Sequence, residues 1–335
     1  MKLPKRQITL IRRITQIVCF ILILYGLALG IPKIKSFWLP ALGATPPTAT
    51  AFKGAFSSPP YPQVFDAYMP ILSCRFARLT GMWRGCFYHF LQEYPVYRNS
   101  LSELLPFILL YLIFAVIFGR FLCGWVCPFG FMEDILSMVR KYLGLSYIRI
   151  SESIKALLKK TSYSVLILGL GIMVMIGFPC LLPLRIRRGF YLVGCQTCPG
   201  RFICPLITGF PLTFNFESPI MVVLFAIGLL FLIIFLLSFM VKRLWCRICP
   251  SGLMLSFFNR GSLLTLEKDV SKCTHCGSCM TGCPMQSTHV YEENKQKVMN
   301  RAECISCYRC VDMCPEDKCL QVKIPGLWIF RSGQK

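Results

Sequence analysis

Hydrophobic positions gather in four long runs, at 14–31, 102–122, 161–184 and 218–241, divided by stretches rich in charge, glycine and proline. Each run is long enough to cross a hydrocarbon core of about 30 Å, which takes roughly 20 apolar residues. Arg120 stands close enough to the end of the second run to snorkel. Beyond the fourth run the pattern breaks into short pieces. The predicted architecture is therefore a membrane all-α domain over 1–261, its four transmembrane helices forming two repeated hairpins, followed by a small α+β domain over 262–335.

Composition supports this reading: 55% of the 335 residues are hydrophobic and only 16% are charged, outside the usual range of a soluble globular chain. No small-residue cleavage site of the A-x-A kind follows the first run, so it reads as a retained anchor. Lys and Arg are denser before the first run, in 120–160 and in 242–260 than in 32–100 and 185–217. The positive-inside rule then puts both termini on the cytoplasmic side of the inner cell membrane. The net charge of +22 lies mostly beside apolar spans, where it meets anionic lipid head groups rather than nucleic acid.

Cysteine, at 20 residues, carries the chemistry. "CTHCGSCMTGCP" supplies Cys273, Cys276, Cys279 and Cys283, and "CISCYRCVDMCP" supplies Cys304, Cys307, Cys310 and Cys314. Each is the C-x2-C-x2-C-x3-C-P run that holds a [4Fe-4S] cluster, the fourth cysteine of each crossing to the other cluster. Three closely spaced thiolates wrap one cube, while the wider gap carries the fourth away and proline ends the helix. The expected sets are Cys273, Cys276, Cys279 and Cys314, and Cys304, Cys307, Cys310 and Cys283. Zinc also binds C-x2-C pairs, but two complete runs in tandem argue against it. Gly277 and Gly282 are expected to let the backbone approach the sulfides. His275 and His289 read as surface residues and Cys319 as a spare buried thiol.

A second pattern repeats inside the chain. "RFLCGWVCPFGFM" at 120–132 aligns with "RLWCRICPSGLM" at 243–254: a basic residue, cysteine, cysteine-proline, glycine, methionine. Each copy closes a hairpin, and two crossings separate them, so both emerge on one face. Parallel repeats related by an axis along the membrane normal bring equivalent ends together. Cys123, Cys127, Cys246 and Cys249 are thus candidates for one four-thiolate metal site. A redox dithiol at each helix end and simple packing beside the prolines are the alternatives.

The basic N-terminus, the four runs, the paired Cys-Pro motifs and the C-terminal eight cysteines together resemble the membrane polyferredoxin family typified by the membrane subunit of the NapGH quinol dehydrogenase. They are also similar to the C-terminal half of the nitrous-oxide reductase maturation protein and to the methylamine utilisation ferredoxin. The resemblance covers nearly the whole chain, and its departure is the two-residue gap between Cys246 and Cys249 where the family usually has three. It implies a dicluster ferredoxin and an electron-transfer subunit. Its expected partners are the quinone pool and redox proteins with iron–sulfur or cytochrome centres. A maturation, assembly or sensing role for the same clusters is the rival reading.

On the opposite face the expected topology leaves Cys74, Cys86, Cys180, Cys195, Cys198 and Cys204. Disulfides suit cysteines outside the cell, whereas the C-x2-C-P within "GCQTCPGRFICP" is cluster-like, so Cys180, Cys195, Cys198 and Cys204 form a second candidate metal or iron–sulfur set. The Pro-rich segment 43–62 reads as extended. Its Gly-Ala-Thr lacks the residue that should precede a flavinylation site, and 65–94, with the lone His89, reads as an interfacial helix. No histidine occurs in the four runs, which excludes bis-histidine haem there. There is no C-x2-C-H, no P-loop and no G-x-G-x-x-G after a strand.

Overall fold

The computed structural model describes residues 7–25, 101–177, 183, 186, 190, 193–208, 218–294, 298 and 300–333. They fall into two compact units, one of 1–20, 113–162 and 237–335, the other of 21–112 and 163–236. The expectations for 43–62, 65–94, His89, Cys74, Cys86 and Cys180 lie outside the described residues, as do the side chains of Cys195 and Cys204.

In the first unit the chain begins as α1 (Gln7–Tyr25), whose faces are reversed relative to those of a soluble helix. Arg12 and Gln16, one turn apart, are each 1% exposed, while Leu10, Ile14 and Ile17 are open. After α2 (Leu101–Phe118) the first Cys-Pro motif folds as α3 (Phe121–Trp125) and α4 (Pro128–Tyr142). Gly119 makes the break with φ +52, and Pro128 occupies the first turn of α4, where a missing N–H costs nothing. The second copy folds in the same way, as α9 (Trp245–Ile248) and α10 (Pro250–Ser256), with Pro250 again in the first turn.

The remainder of this unit is an antiparallel sheet in the order β1 (Thr265–Lys268), β2 (Leu320–Ile324), β3 (Leu327–Arg331). Against it lie the one-turn helices α11 (Ser278–Gly282), α12 (His289–Glu292) and α13 (Arg309–Met313). This α+β body and the first motif share one core, in which Trp125 and Ile8 pack with Leu266, Tyr308, Val311 and Val322. Trp125 stacks on Phe330 at 6.0 Å and donates from Nε1 to the Ser306 carbonyl at 3.0 Å. At the start of α1, Thr9 donates through both its amide and its hydroxyl to Asp312.

In the second unit, α6 (Val193–Thr197) and α7 (Gly200–Thr208) pack on α8 (Pro219–Leu236). Gly228 permits the approach: a Cβ there would stand 3.1 Å from the Gln196 carbonyl and from the Phe202 ring. Among the described residues, two helical stretches are long and apolar enough to cross a membrane, Glu152–Met175 in α5 (Glu152–Gly177) and Pro219–Phe239 in α8 and its 3-10 extension. Both leave most of their apolar side chains open, as Ile167, Leu168, Val223 and Ile233 do.

Candidate iron–sulfur centres and the paired cysteine motifs

Each ferredoxin-type run curls because of two left-handed residues. His275 and Gly277 flank Cys276 with φ of 52° and 73°, and Ser306 and Tyr308 flank Cys307 with 47° and 54°. This conformation costs little at glycine and more elsewhere, so its recurrence at equivalent positions marks one shape imposed twice. The short helices α11 and α13 then carry Cys279 and Cys310, and extended backbone at Cys283 and Cys314 takes the fourth thiol of each run across. Gly282 lies against the Met313 side chain, and Gly277, with φ +73, lines the first cysteine cavity.

The first expected set is gathered around one cavity, lined by Cys273, Cys276, Cys279 and Cys314 together with Lys268, His275 and Tyr291. Lys268 is buried and is held by donating to the carbonyls of Val290, Tyr291 and Glu293. Four thiols on one cavity, three from one run and one from the other, match in number and kind the donors that a [4Fe-4S] cube requires. The second set is buried more deeply. Burial pushes the Cys304 thiol up to about 12 and Cys310 well above its ordinary value, and the charges of Cys307 and Cys283 act on both. Cys279 also acts on Cys310, which links the two sets. His275 is exposed and meets Tyr291 edge-on at 5.8 Å, whereas His289 is half-buried, its Nδ1 2.6 Å from the Ser287 hydroxyl. Cys319 opens onto the first cavity as well. Among the described residues, no three His, Cys, Asp or Glu side chains are close enough to share a single metal ion.

The paired Cys-Pro motifs are interlocked by their arginines. Arg243, 1% exposed, crosses to the first motif and donates from Nη1 to the Cys123 carbonyl at 3.3 Å. Arg120, 5% exposed, crosses the other way and donates from Nη2 to the Cys246 carbonyl at 3.0 Å. The glycine of each motif makes room for the arginine of the other. A Cβ on Gly130 would stand 2.7 Å from Arg243 Nη1, and one on Gly252 would stand 3.3 Å from Arg120 Nη2. Two buried guanidinium groups demand partners, and the two ends differ in how these are supplied. Arg243 forms a fork on Asp134, Nε to Oδ1 at 3.2 Å and Nη2 to Oδ2 at 2.6 Å, and Arg12 joins the same carboxylate at 3.0 Å. Burial alone would raise the Asp134 carboxyl, but Arg243 and Arg12 hold it down at about 2. Arg120 instead donates to the Ala302 carbonyl at 2.9 Å, while Asn259 accepts from its amide and donates to the Cys304 carbonyl.

Of the four motif cysteines, Cys123 and Cys246 are buried and Cys127 and Cys249 half-buried. Cys246 donates its thiol proton to Glu133 Oε2 at 2.8 Å. Glu133, 1% exposed, also accepts from the Trp245 amide and the Ser238 hydroxyl. Burial and then the Glu133 carboxylate raise the Cys246 thiol far above its ordinary value. Cys127 is pushed up to about 12 by burial and then by the charge of Cys123. The charge of Cys127 is in turn felt at Cys246. The first tip also touches the second cysteine run: a Cβ on Gly124 would lie 3.4 Å from Cα and Cβ of Cys307. Glu133, Asp134, Arg12 and Gln16 were not singled out from the sequence, where only the repeated basic residue and glycine of the motifs hinted at the clasp.

Comparison with known proteins bears on this geometry. The family described as "4Fe-4S dicluster domain" matches residues 265–315, and the family described as "4Fe-4S binding domain" matches twice, over 101–146 and 223–267, one match on each Cys-Pro motif. Two relatives are ferredoxin-type proteins NapH, from Haemophilus influenzae and Escherichia coli, each 26% identical over 213 and 218 residues respectively. The chain is similar to NapH-like polyferredoxins. It is also 29% identical over 236 residues to an uncharacterized protein of Methanocaldococcus jannaschii, covering 69% of this chain and 84% of that one. The matches to the two NapH proteins take in 61% and 63% of this chain and 63% and 64% of theirs, less than two thirds of their length. No solved structure matches. The two iron–sulfur domain matches and the similarity to ferredoxin-type proteins make the chain an iron–sulfur electron-transfer protein.

Proposed function

We propose that this polyferredoxin is the membrane-embedded electron-transfer subunit of a quinol dehydrogenase-type complex. It would carry electrons between the quinone pool, or a soluble donor, and a partner oxidoreductase. Residues 1–261 form four spans as two repeated hairpins, and 262–335 form a cytoplasmic ferredoxin domain. Cys273, Cys276, Cys279 and Cys314 hold one [4Fe-4S] cluster, and Cys304, Cys307, Cys310 and Cys283 hold the other. The bound clusters supply one-electron chemistry over the wide range of potential open to such cubes, about −700 to +450 mV. The chain's own residues fix the thiols, exclude water from the second set, and place that set against the membrane motifs.

The observation that carries this reading is the contact of Gly124, in the first motif, with Cys307, in the second run. It brings the hairpin tips and a cluster site into one body. Two features support the membrane assignment. The open apolar side chains of α5, α8 and α1 would cost about 25 cal/mol per Å2 in water and nothing in lipid. The reversed faces of α1 leave its polar side to the protein. The tie from Thr9 to Asp312 supports placing the N-terminus on the cluster side. Cys123, Cys127, Cys246 and Cys249 are proposed as a further shared iron–sulfur site between the clasped tips.

Anaerobic purification with iron and labile-sulfide counts, followed by addition of menaquinol, tests the reading. Iron present and its visible absorbance bleached by the quinol is the expected result; iron present with no response to any quinol would reject the quinone link. Replacing Cys123 and Cys246 by serine should remove iron beyond the eight atoms of two cubes, roughly. An unchanged count rejects the shared site.

A further inference from the structure

The cavity of the first cysteine set holds a fifth thiol. Cys319 is 2% exposed and lines that cavity beside Cys273, Cys276, Cys279 and Cys314. The Cys314 and Cys273 thiols belong to the same lining. The backbone fixes it there: the Cys319 carbonyl accepts from the Asp269 amide at 2.8 Å, its Sγ lies 3.6 Å from the Asp269 carbonyl, and the next residue opens β2 opposite Lys268. A side chain serving only to fill space has no need to line a cavity shared with four ligand thiols, and any small apolar residue would pack as well.

We infer that Cys319 is a reserve ligand of the first cluster site, able to take the place of Cys314 or Cys273 on iron. The exchange is a substitution without electron transfer. The iron bond to Cys314 breaks, the Cys319 S–H ionises and its sulfur bonds to the same iron. The proton passes to the departing thiolate, or to water where serine stands at 314. The inference rests on the two-cluster reading above.

The test uses the full chain, purified anaerobically in detergent, with iron counts and electron paramagnetic resonance of the reduced protein. The native chain should hold at least about eight iron atoms. The outcomes are stated as losses from the native count. Cys314→Ser and Cys273→Ser should each keep the native count and the signal of the first cluster, whereas Cys314→Ser/Cys319→Ser and Cys273→Ser/Cys319→Ser should lose about four irons and that signal. Cys276→Ser should lose about four irons whether or not Cys319 is present. If Cys314→Ser and Cys273→Ser both lose the first cluster as fully as their double variants, the inference is wrong. The second cluster reports folding in every variant. Should it vanish too, Cys319→Ser in the otherwise native chain decides: iron release to a chelator after mild oxidation should be several-fold faster than in the native protein, and equal rates overturn the inference. A native chain with fewer than about eight irons would fault the two-cluster reading instead.

Discussion

At the residue scale the interlocked arginines make the sharpest statements, because their glycine partners are not equivalent. On Gly130 an added Cβ would meet both Arg243 and the backbone carbonyl of Cys123 at 2.7 Å, whereas on Gly252 it would meet only the end of the Arg120 side chain at 3.3 Å. Backbone cannot yield as a side-chain tip can. Gly130→Ala should therefore cost about 3 kcal/mol or more and Gly252→Ala less than about 1 kcal/mol. Thermal unfolding in detergent, with the iron content of each variant, checks the order, and equal effects would count against the clasp. Asp134→Asn leaves Arg12 and Arg243 without their carboxylate. Breaking a buried pair in this way costs about 3–5 kcal/mol, so this variant should fail to accumulate in membranes at native levels.

At the scale of elements, the informative helix is α1. Its buried stripe carries two polar side chains between Ile8 and Ile23, Arg12 on the Gly124 carbonyl at 3.3 Å and Gln16 on the same carbonyl at 3.0 Å. Its N-terminal turn is tied to Asp312 of α13. Asp312→Ala removes a charged acceptor serving two donors, worth about 1.5–3 kcal/mol each at most and less where water can replace it. The expected outcome is faster amide exchange over the first turn of α1 with β1 and β2 unchanged. Uniform loss of protection across the ferredoxin body would contradict it. The hydrophobic run at 14–31 overlaps α1, yet it does not say which face of the helix is inward, since a helix in lipid and one in water present opposite sides to the protein.

At the scale of the molecule, one core joins the first Cys-Pro motif to the ferredoxin body. Phe121 and Trp125 stack at 5.0 Å, and Trp125 lies against Tyr308 and Phe330. A chain ending at 261 would open these rings and leave Arg120 without the Ala302 carbonyl, so it should aggregate in detergent, as size-exclusion chromatography would reveal. The complementary fragment 262–335 should take up iron yet unfold well below the full chain, because Trp125 is missing from its core. Equal stability of the fragment and the full chain would show that the shared core contributes nothing.

The sequence by itself determined the chemistry of this protein: thiolate spacing, the proline that follows each run and the length of an apolar stretch are local constraints, satisfied within a few residues. It also displayed the repeat of arginine, cysteine and glycine, without its meaning. Only the tertiary structure decided that Arg120 serves the second motif and Arg243 the first, that Glu133 receives the Cys246 proton, and that Cys319 faces the first cavity. These are contacts between residues some 50 to 126 positions apart. A buried charge takes whichever partner folding brings within reach, and nothing in the order of residues along the chain encodes that distance.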